Sequence, residues 1–369
     1  MNDRLWLRDG IASKETSPAL PVRSASTAPQ QRRRAGLTIN RRPNRSLQQE
    51  LSVTEPQTGP TARRGRHRTA IWVSIAACAV LVIGAAVPVA LHMRSAQPTN
   101  SAQPTRYLGV YEQGTPFSYA GITAFTTATG VTPDVLMYYS SWLEPFRASF
   151  ATTAAEHGAV PLVQINPYGV SLAAIASGQY DGYLSAYAEA VHSYPYRVIL
   201  SFGHEMNGHW YPWGYTHTSP AVFVAAWRHI VTLFRRLGVR NVTWLWTVNI
   251  MDTLGGIPSP TQWWPGSSYV NWVGLDGYYY ESSWTFASLF GPTIAAVRAL
   301  THDPILIAET GAAVDQPAKI ADLFSGIHLY GLVGFVWFDA KADEDWRLTS
   351  PAAIAAFRQG AKTYHGPTS

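Results

Sequence analysis

The sequence predicts an α/β protein: a (β/α)8 barrel preceded by a disordered tail and one membrane-spanning helix. Three observations support this prediction. Composition changes abruptly near residue 70, one long apolar segment carries no charge, and eight short apolar runs alternate with helix-like stretches. They divide the chain into a tail (1–69), a membrane segment (70–92), a linker (93–106) and a folded domain (107–369).

The tail is rich in Arg, Pro, Ser, Thr and Gln and holds almost no aliphatic clusters. Such a segment buries too little apolar surface to offset the entropy lost on ordering, so we expect it to be disordered. Through Arg68 the chain carries thirteen Arg and one Lys against five acidic residues, whereas the remainder carries fourteen basic and eighteen acidic residues. The net charge of +5 therefore belongs to the tail, and the folded domain has no basic excess that would indicate a nucleic-acid partner.

Residues 70–91, AIWVSIAACAVLVIGAAVPVAL, contain no charged side chain. A helix of about 20 apolar residues spans a bilayer core of about 30 Å, and signal peptides have shorter apolar regions close to the N-terminus. Four arginines lie between residues 63 and 68, and only Arg94 follows closely. The positive-inside rule then predicts a single-pass cell-membrane protein with a cytoplasmic N-terminus and an extracellular folded domain. The lipid bilayer is thus an expected partner of residues 70–92.

Two further features accompany the apolar segment. The single cysteine, Cys78, lies inside it, so the chain can form no internal disulfide. The linker repeats SAQPT, a polar and proline-containing sequence that is typical of an extended spacer.

The folded domain contains eight runs that are nearly continuous in apolar character, as expected of parallel strands buried on both faces. The runs are 107–113, 135–142, 160–167, 196–205, 242–249, 270–279, 304–311 and 332–339. Helix-like stretches separate them, of which 172–194 and 220–238 are the clearest. Eight such units over about 260 residues are typical of a (β/α)8 barrel. A doubly wound open sheet is the alternative, but its glycine-rich phosphate fingerprint is missing.

Because the active site of such barrels lies at the carboxyl ends of the strands, the residues that end the runs are the candidate site. Acidic and amide side chains end the runs: Glu112, Ser140, Asn166, His204, Glu205, Asn249, Asp276, Glu309 and Asp339. Aromatic residues surround them: Tyr111, Trp142, Trp210, Trp213, Trp263, Trp264, Tyr278 and Trp337. Sugar rings stack their apolar faces on aromatics and pair their hydroxyls with acids and amides, so this set predicts a neutral, polyhydroxylated ligand.

Glu205 ends the fourth run and Glu309 the seventh, so we expect both carboxyls in one mouth. Glycosidic cleavage needs one protonated and one ionised carboxyl, and retention needs them about 5–5.5 Å apart. The alternative is that both are structural ion-pair partners. A zinc site is disfavoured, because H-E-x-x-H requires histidines at i and i+4, whereas HEMNGH places the second one at His209. The sequence therefore predicts no metal and no cofactor.

The segment RVILSFGHEMNGHWYPWG (197–214) resembles the acid/base motif of glycoside hydrolase family 26, the β-mannanase-like enzymes of the large retaining (β/α)8 glycosidase clan. Like that family, it has His rather than Asn before the acid/base. PILIAETG (304–311) is similar to the nucleophile segment. The resemblance implies Glu205 as proton donor and Glu309 as nucleophile. It also implies a substrate-binding set of His204, Asn207, Trp210, Trp213, Tyr278 and Trp337, to which the strand end adds Asn249.

By the same resemblance, Trp337 forms the floor under the sugar at the cleavage subsite. The implied substrate is a β-linked polysaccharide, with β-1,4-mannan first and β-1,3-xylan or mixed-linkage β-glucan as alternatives. Two other kinds of protein stay open. One is a catalytically silent glycan-binding barrel, and the other is a transglycosylase that remodels exopolysaccharide.

Overall fold

A computed structural model describes residues 106–252 and 256–364. The predicted tail (1–69), membrane segment (70–92) and all of the linker but Arg106 lie outside the described residues. Among the residues that are described, no helix has the length and apolar character needed to cross a membrane.

Eight parallel strands close into a barrel in chain order, and β8 pairs with β1 to complete it. This confirms the predicted (β/α)8 architecture, and each strand lies inside one of the predicted runs. The strands are β1 (Tyr107–Glu112), β2 (Val135–Ser141), β3 (Val160–Asn166), β4 (Val198–Phe202), β5 (Val242–Asn249), β6 (Trp272–Asp276), β7 (Ile305–Thr310) and β8 (Gly334–Asp339).

Helices cover the outside of the strands. They are α1 (Ala120–Thr129), α2 (Ala148–Glu156), α3 (Leu172–Ala176), α4 (Asp181–Ser193), α5 (Pro220–Arg236), α6 (Phe286–Arg298), α7 (Gln316–Leu329) and α8 (Pro351–Tyr364). The predicted helix 172–194 is interrupted at Gly178, whose φ of +84° cannot continue a right-handed helix. α5 starts as predicted, since the Ser219 side chain accepts a hydrogen bond from Val222 N and Pro220 takes the first turn.

Side chains alternate between the barrel interior and the helix layer. Leu162, Ile199 and Leu245 fill the interior, whereas neighbours such as Val163 and Leu200 pack outward in the core shared with the helices. Because both faces of each strand are covered, the strands read as continuous apolar runs in the sequence.

The same alternation aims Asn249 at the mouth, in phase with the interior residue Leu245. Glu309 instead directly follows the interior residue Ala308 and reaches the mouth through a register shift between β6 and β7.

Candidate active site

Glu205 stands on a turn that directly follows β4. Gly203 and Glu205 both have left-handed backbone, with φ of +56° and +53°. The Glu205 N–H still donates to Thr247 O at 3.0 Å, which ties the turn to β5. A left-handed backbone at a residue other than glycine costs about 1–3 kcal/mol and is concentrated at functional sites. The fold therefore holds Glu205 in a backbone conformation that local preference would not select.

The carboxyl of Glu205 is almost fully buried, with 1% of the residue exposed, and both of its oxygens accept hydrogen bonds. Trp210 Nε1 donates to Oε2 at 2.7 Å, and the side-chain amide of Asn249 donates to Oε1. Gly208 makes room for this arrangement, because a Cβ there would collide with the Trp210 ring. Two neutral N–H donors thus fix the orientation of the carboxyl.

Glu309 lies near the end of β7 and is held by two phenols from other strands. Tyr139 of β2 donates to Oε1 at 2.6 Å, and Tyr278, two residues beyond β6, donates to Oε2 at 2.9 Å. Burial, followed by the charge of Glu309, raises the pKa of both phenols well above 10. Both tyrosines therefore stay protonated at ordinary pH and keep donating to Glu309.

The two carboxyls share one mouth. After burial, the charges of both Glu205 and Glu309 raise the pKa of Tyr278 and of Tyr211. The strand pairing places both carboxyls there: Asn249, the donor to Glu205, lies opposite Asp276. Asp276 in turn lies opposite Glu309 on the next strand. The structure therefore brings Glu205 and Glu309 to the same rim of the barrel.

Among the described residues, His204, Asp276 and Glu309 form one group that could hold a metal ion, with ligand atoms within 4.8 Å of one another. Imidazole and carboxylates suit a transition metal. However, both oxygens of Glu309 already accept phenol hydrogens, so a metal bound there would have to displace one of these contacts. His209, the second histidine of HEMNGH, is exposed and is not part of this group.

His204 is braced from the chain that follows it. Its Nε2 lies 3.2 Å from the Tyr211 hydroxyl, and Trp213 Nε1 donates to its backbone carbonyl at 2.7 Å. Tyr211 and Trp213 stack at 4.4 Å with an interplanar angle of 11°. Trp213 is therefore a buried support of His204, not a surface for substrate.

Asn207 also supports the site from beneath its surface. Its amide donates to Asn249 O at 2.9 Å and accepts from Asn249 N at 2.9 Å. It also donates to Pro258 O at 3.2 Å. Asn207 is fully buried, so it fixes the strand end that carries Asn249, the donor to Glu205, without reaching the mouth itself.

Trp337 does not form the predicted floor of the cleavage subsite. Its side chain points out of the barrel, is 0% exposed and packs 6.0 Å from the Phe357 ring of α8. Its Nε1 donates to the backbone carbonyl of Trp346, and the Trp346 ring lies 4.6 Å from that of Tyr278. The physical reason is the two-residue period of the strand, which turns Phe338 inward and Trp337 outward.

Three residues of this region did not emerge from the sequence: Tyr139, Tyr211 and Trp346. The expectation rested on the last polar residue of each run, and Tyr139 lies two positions before the end of β2. The two-residue period of a strand could have identified it, because Tyr139 points to the barrel interior on the same face as Met137. Tyr211 and Trp346 lie in loops, where no regular residue period indicates which way a side chain points.

The strand-end acids Glu112 and Asp339 form a second carboxyl pair, outside the mouth. Glu112 packs against α1, where Gly121 leaves room for it, since a Cβ at 121 would lie 2.8 Å from Glu112 Oε2. Burial and a hydrogen bond that protonated Glu112 donates to the neighbouring Asp339 raise the pKa of Glu112 to about 9, and burial raises that of Asp339. The folded chain therefore keeps a proton on this pair at neutral pH.

We expect Glu112→Gln to weaken the loss of stability at alkaline pH. The folded pKa lies above the unfolded value of 4.5, so the contribution of Glu112 is complete below about pH 4.5 and is lost as pH rises towards 9. One extra proton in the folded state gives at most about 1.4 kcal/mol per pH unit, and we expect a difference of about 2 kcal/mol between pH 6 and 9. Urea denaturation followed by tryptophan fluorescence measures it.

The exposed residue Glu189 of α4 provides the matched control, because Glu189→Gln removes a charge without touching the pair. The control should keep the pH slope of the unmodified protein. Equal slopes for Glu112→Gln and the unmodified protein would contradict the shared proton.

Comparison with known proteins agrees with this geometry. Residues 179–360 match the model of Glycosyl hydrolase family 26, which confirms the resemblance seen in the sequence. Endoglucanase H of Acetivibrio thermocellus is 29% identical over 265 residues, which cover 67% of this chain and 29% of that protein. Mannan endo-1,4-beta-mannosidase A and B of Caldalkalibacillus mannanilyticus is 29% identical over 83 residues, or 21% of this chain and 15% of that protein. The chain thus spans less than a third of the first of these relatives.

Solved structures share the fold. A family 26 β-mannanase from Bacteroides ovatus superposes with a TM-score of 0.55 at 16% identity, covering 71% of this chain and 90% of the other. A modular endo-β-1,4-mannanase from Cellulomonas fimi gives 0.55 at 18% identity, covering 71% of each chain. At these identities the likeness extends to the barrel alone.

Proposed function

We propose that this chain, which contains a glycosyl hydrolase family 26 domain over residues 179–360, is an O-glycosyl hydrolase that cleaves β-linked polysaccharide with retention. The observation that carries the proposal is the pair of buried carboxyls in one mouth with different surroundings. Glu205 accepts from two N–H donors, and Glu309 accepts from two phenols. A pair with separate environments is what one acid and one nucleophile require.

In the first step, a carboxylate oxygen of Glu309 attacks the anomeric carbon while Glu205 gives its proton to the departing glycosidic oxygen. The product is a glycosyl ester of Glu309. In the second step, Glu205 takes a proton from water, the water oxygen attacks the anomeric carbon, and Glu309 departs as a carboxylate. Trp210 and Asn249 orient Glu205 in both steps.

β-1,4-Mannan is the proposed substrate. The relative named as a mannan endo-1,4-beta-mannosidase and the two mannanase structures support it. The relative named as an endoglucanase supports β-glucan as the second candidate. A silent glycan-binding barrel would not need both carboxyls, each with a full set of donors, so these contacts favour an enzyme.

The test is hydrolysis by the full-length protein of β-1,4-mannan, β-1,3-xylan, mixed-linkage β-glucan and cellulose. We expect new reducing ends from mannan and, by proton NMR, a first-formed product in the β configuration. An initial α product would refute double displacement. Binding of a glycan without turnover of any of the four would replace the enzyme with the silent binder.

We further propose that residues 70–92 anchor the protein in the cell membrane with the barrel outside, near the polymers of the cell's own surface. The uncharged segment and the four arginines before it support this topology. Protease added to intact cells should remove the barrel and leave the tail protected. Recovery of the full-length chain in the soluble fraction would contradict the anchor.

A further inference from the structure

We propose that Tyr139 is a positioning residue that governs the second step of the reaction, the release of the sugar from Glu309. The inference rests on the proposed function and assigns a role to a side chain that lies on β2, across the barrel from the nucleophile strand β7.

The position of Tyr139 is set by two ring contacts and by its place on the strand. Its ring meets that of Tyr111 edge-on at 5.2 Å and lies 5.7 Å from the His204 ring. Its strand neighbour Tyr138 points the other way and packs on Phe150 in the helix layer at 5.4 Å. The rigid strand and these contacts hold the Tyr139 hydroxyl 2.6 Å from Glu309 Oε1, the shorter of the two phenol contacts.

The strength of this hydrogen bond must change during the reaction. The bond is strongest while Glu309 carries its full negative charge and weakest in the neutral glycosyl ester, because a charged acceptor about doubles its strength. Both transition states lie between these limits, with part of the charge on Glu309.

The consequence is opposite for the two steps. From the free enzyme, charge on Glu309 decreases towards the first transition state, so Tyr139 does not help that step. From the ester, charge develops on Glu309 towards the second transition state, and a donor already in place stabilises it. Loss of the hydroxyl should therefore slow ester cleavage without slowing ester formation, because the free enzyme loses more stabilisation than the first transition state does.

Tyr139→Phe tests this with 2,4-dinitrophenyl β-mannobioside, whose good leaving group makes ester cleavage limiting. We expect kcat to fall about 3- to 10-fold, which corresponds to half of a charge-assisted hydrogen bond. We expect kcat/KM not to fall and to rise by at most the same factor, so KM falls at least as far as kcat. A burst of dinitrophenolate should precede the steady state.

Tyr138→Phe is the matched control, since it removes the same hydroxyl from the neighbouring residue on the other face of β2. It should leave kcat, KM and the burst unchanged. A second readout is independent of steady-state kinetics. The ester trapped with 2-deoxy-2-fluoro-β-mannosyl fluoride should hydrolyse about 3- to 10-fold more slowly in Tyr139→Phe.

A Tyr139→Phe variant in which kcat/KM falls as far as kcat, or in which the trapped ester hydrolyses at the normal rate, would overturn the inference and leave the proposed function intact. A wild-type protein that hydrolyses neither the aryl mannobioside nor any β-glycan would overturn the proposed function, and the inference would fall with it.

Discussion

Glu309→Ala is expected to lower kcat about 10⁴-fold or more on every glycan that the protein cleaves. The variant lacks the oxygen that forms the ester, and residual catalysis comes only from binding and from Glu205. The truncation also leaves the hydroxyls of Tyr139 and Tyr278 facing a small space where a carboxylate stood. Azide fits such a space, and we expect it to restore turnover of an aryl β-mannoside and to yield the α-glycosyl azide.

The control for this experiment is Glu189→Ala, which truncates an exposed glutamate on α4 and should keep full activity. The anomeric configuration of the glycosyl azide shows whether Glu309 is the nucleophile. If Glu309→Ala retains kcat within about tenfold of the unmodified protein, or if azide yields the β-anomer, Glu309 is not the nucleophile.

Glu205→Ala is expected to lower kcat on mannan about 10²- to 10⁴-fold, the usual contribution of a general acid. The effect should depend on the leaving group. Dinitrophenolate departs without a proton, so kcat/KM for 2,4-dinitrophenyl β-mannobioside should stay near that of the unmodified protein. Azide should attack the ester from the face that Glu205 serves and yield the β-glycosyl azide.

Two variants separate loss of the acid from loss of its orientation. Asn249→Ala keeps the carboxyl of Glu205 but removes the amide that donates to Oε1, so its activity should fall less than that of Glu205→Ala. Equal loss of kcat/KM for mannan and for the dinitrophenyl substrate in Glu205→Ala would refute the role of Glu205 as proton donor.

The barrel followed from the sequence because its signal is local. Strands that are covered on both faces read as continuous apolar runs, and all eight runs contain a strand. The break at Gly178 was the exception. The spacing of apolar residues predicted one helix across α3 and α4. In the structure the left-handed backbone of Gly178 separates the two.

The supporting residues show where local signals fail. Asn207, Trp213 and Trp337 stand in or near the recognisable segments, yet each is buried and holds another part of the chain. A motif names the residues that recur around a site. It does not say which of them face the mouth and which lie one layer behind it.

Glu205 and Glu309 could be placed at the mouth from the sequence because each lies at a strand end inside a segment that resembles a family motif. The strand-end position alone also selected Glu112 and Asp339, which lie outside the mouth. What surrounds each carboxyl was decided by tertiary structure. Tyr139 and Glu309 are 170 residues apart in the chain and meet only because β2 and β7 close into the same barrel. The spacing of apolar residues along a strand depends on a few neighbouring positions and can be read from the sequence. A hydrogen bond across the barrel forms only when all eight strands have closed.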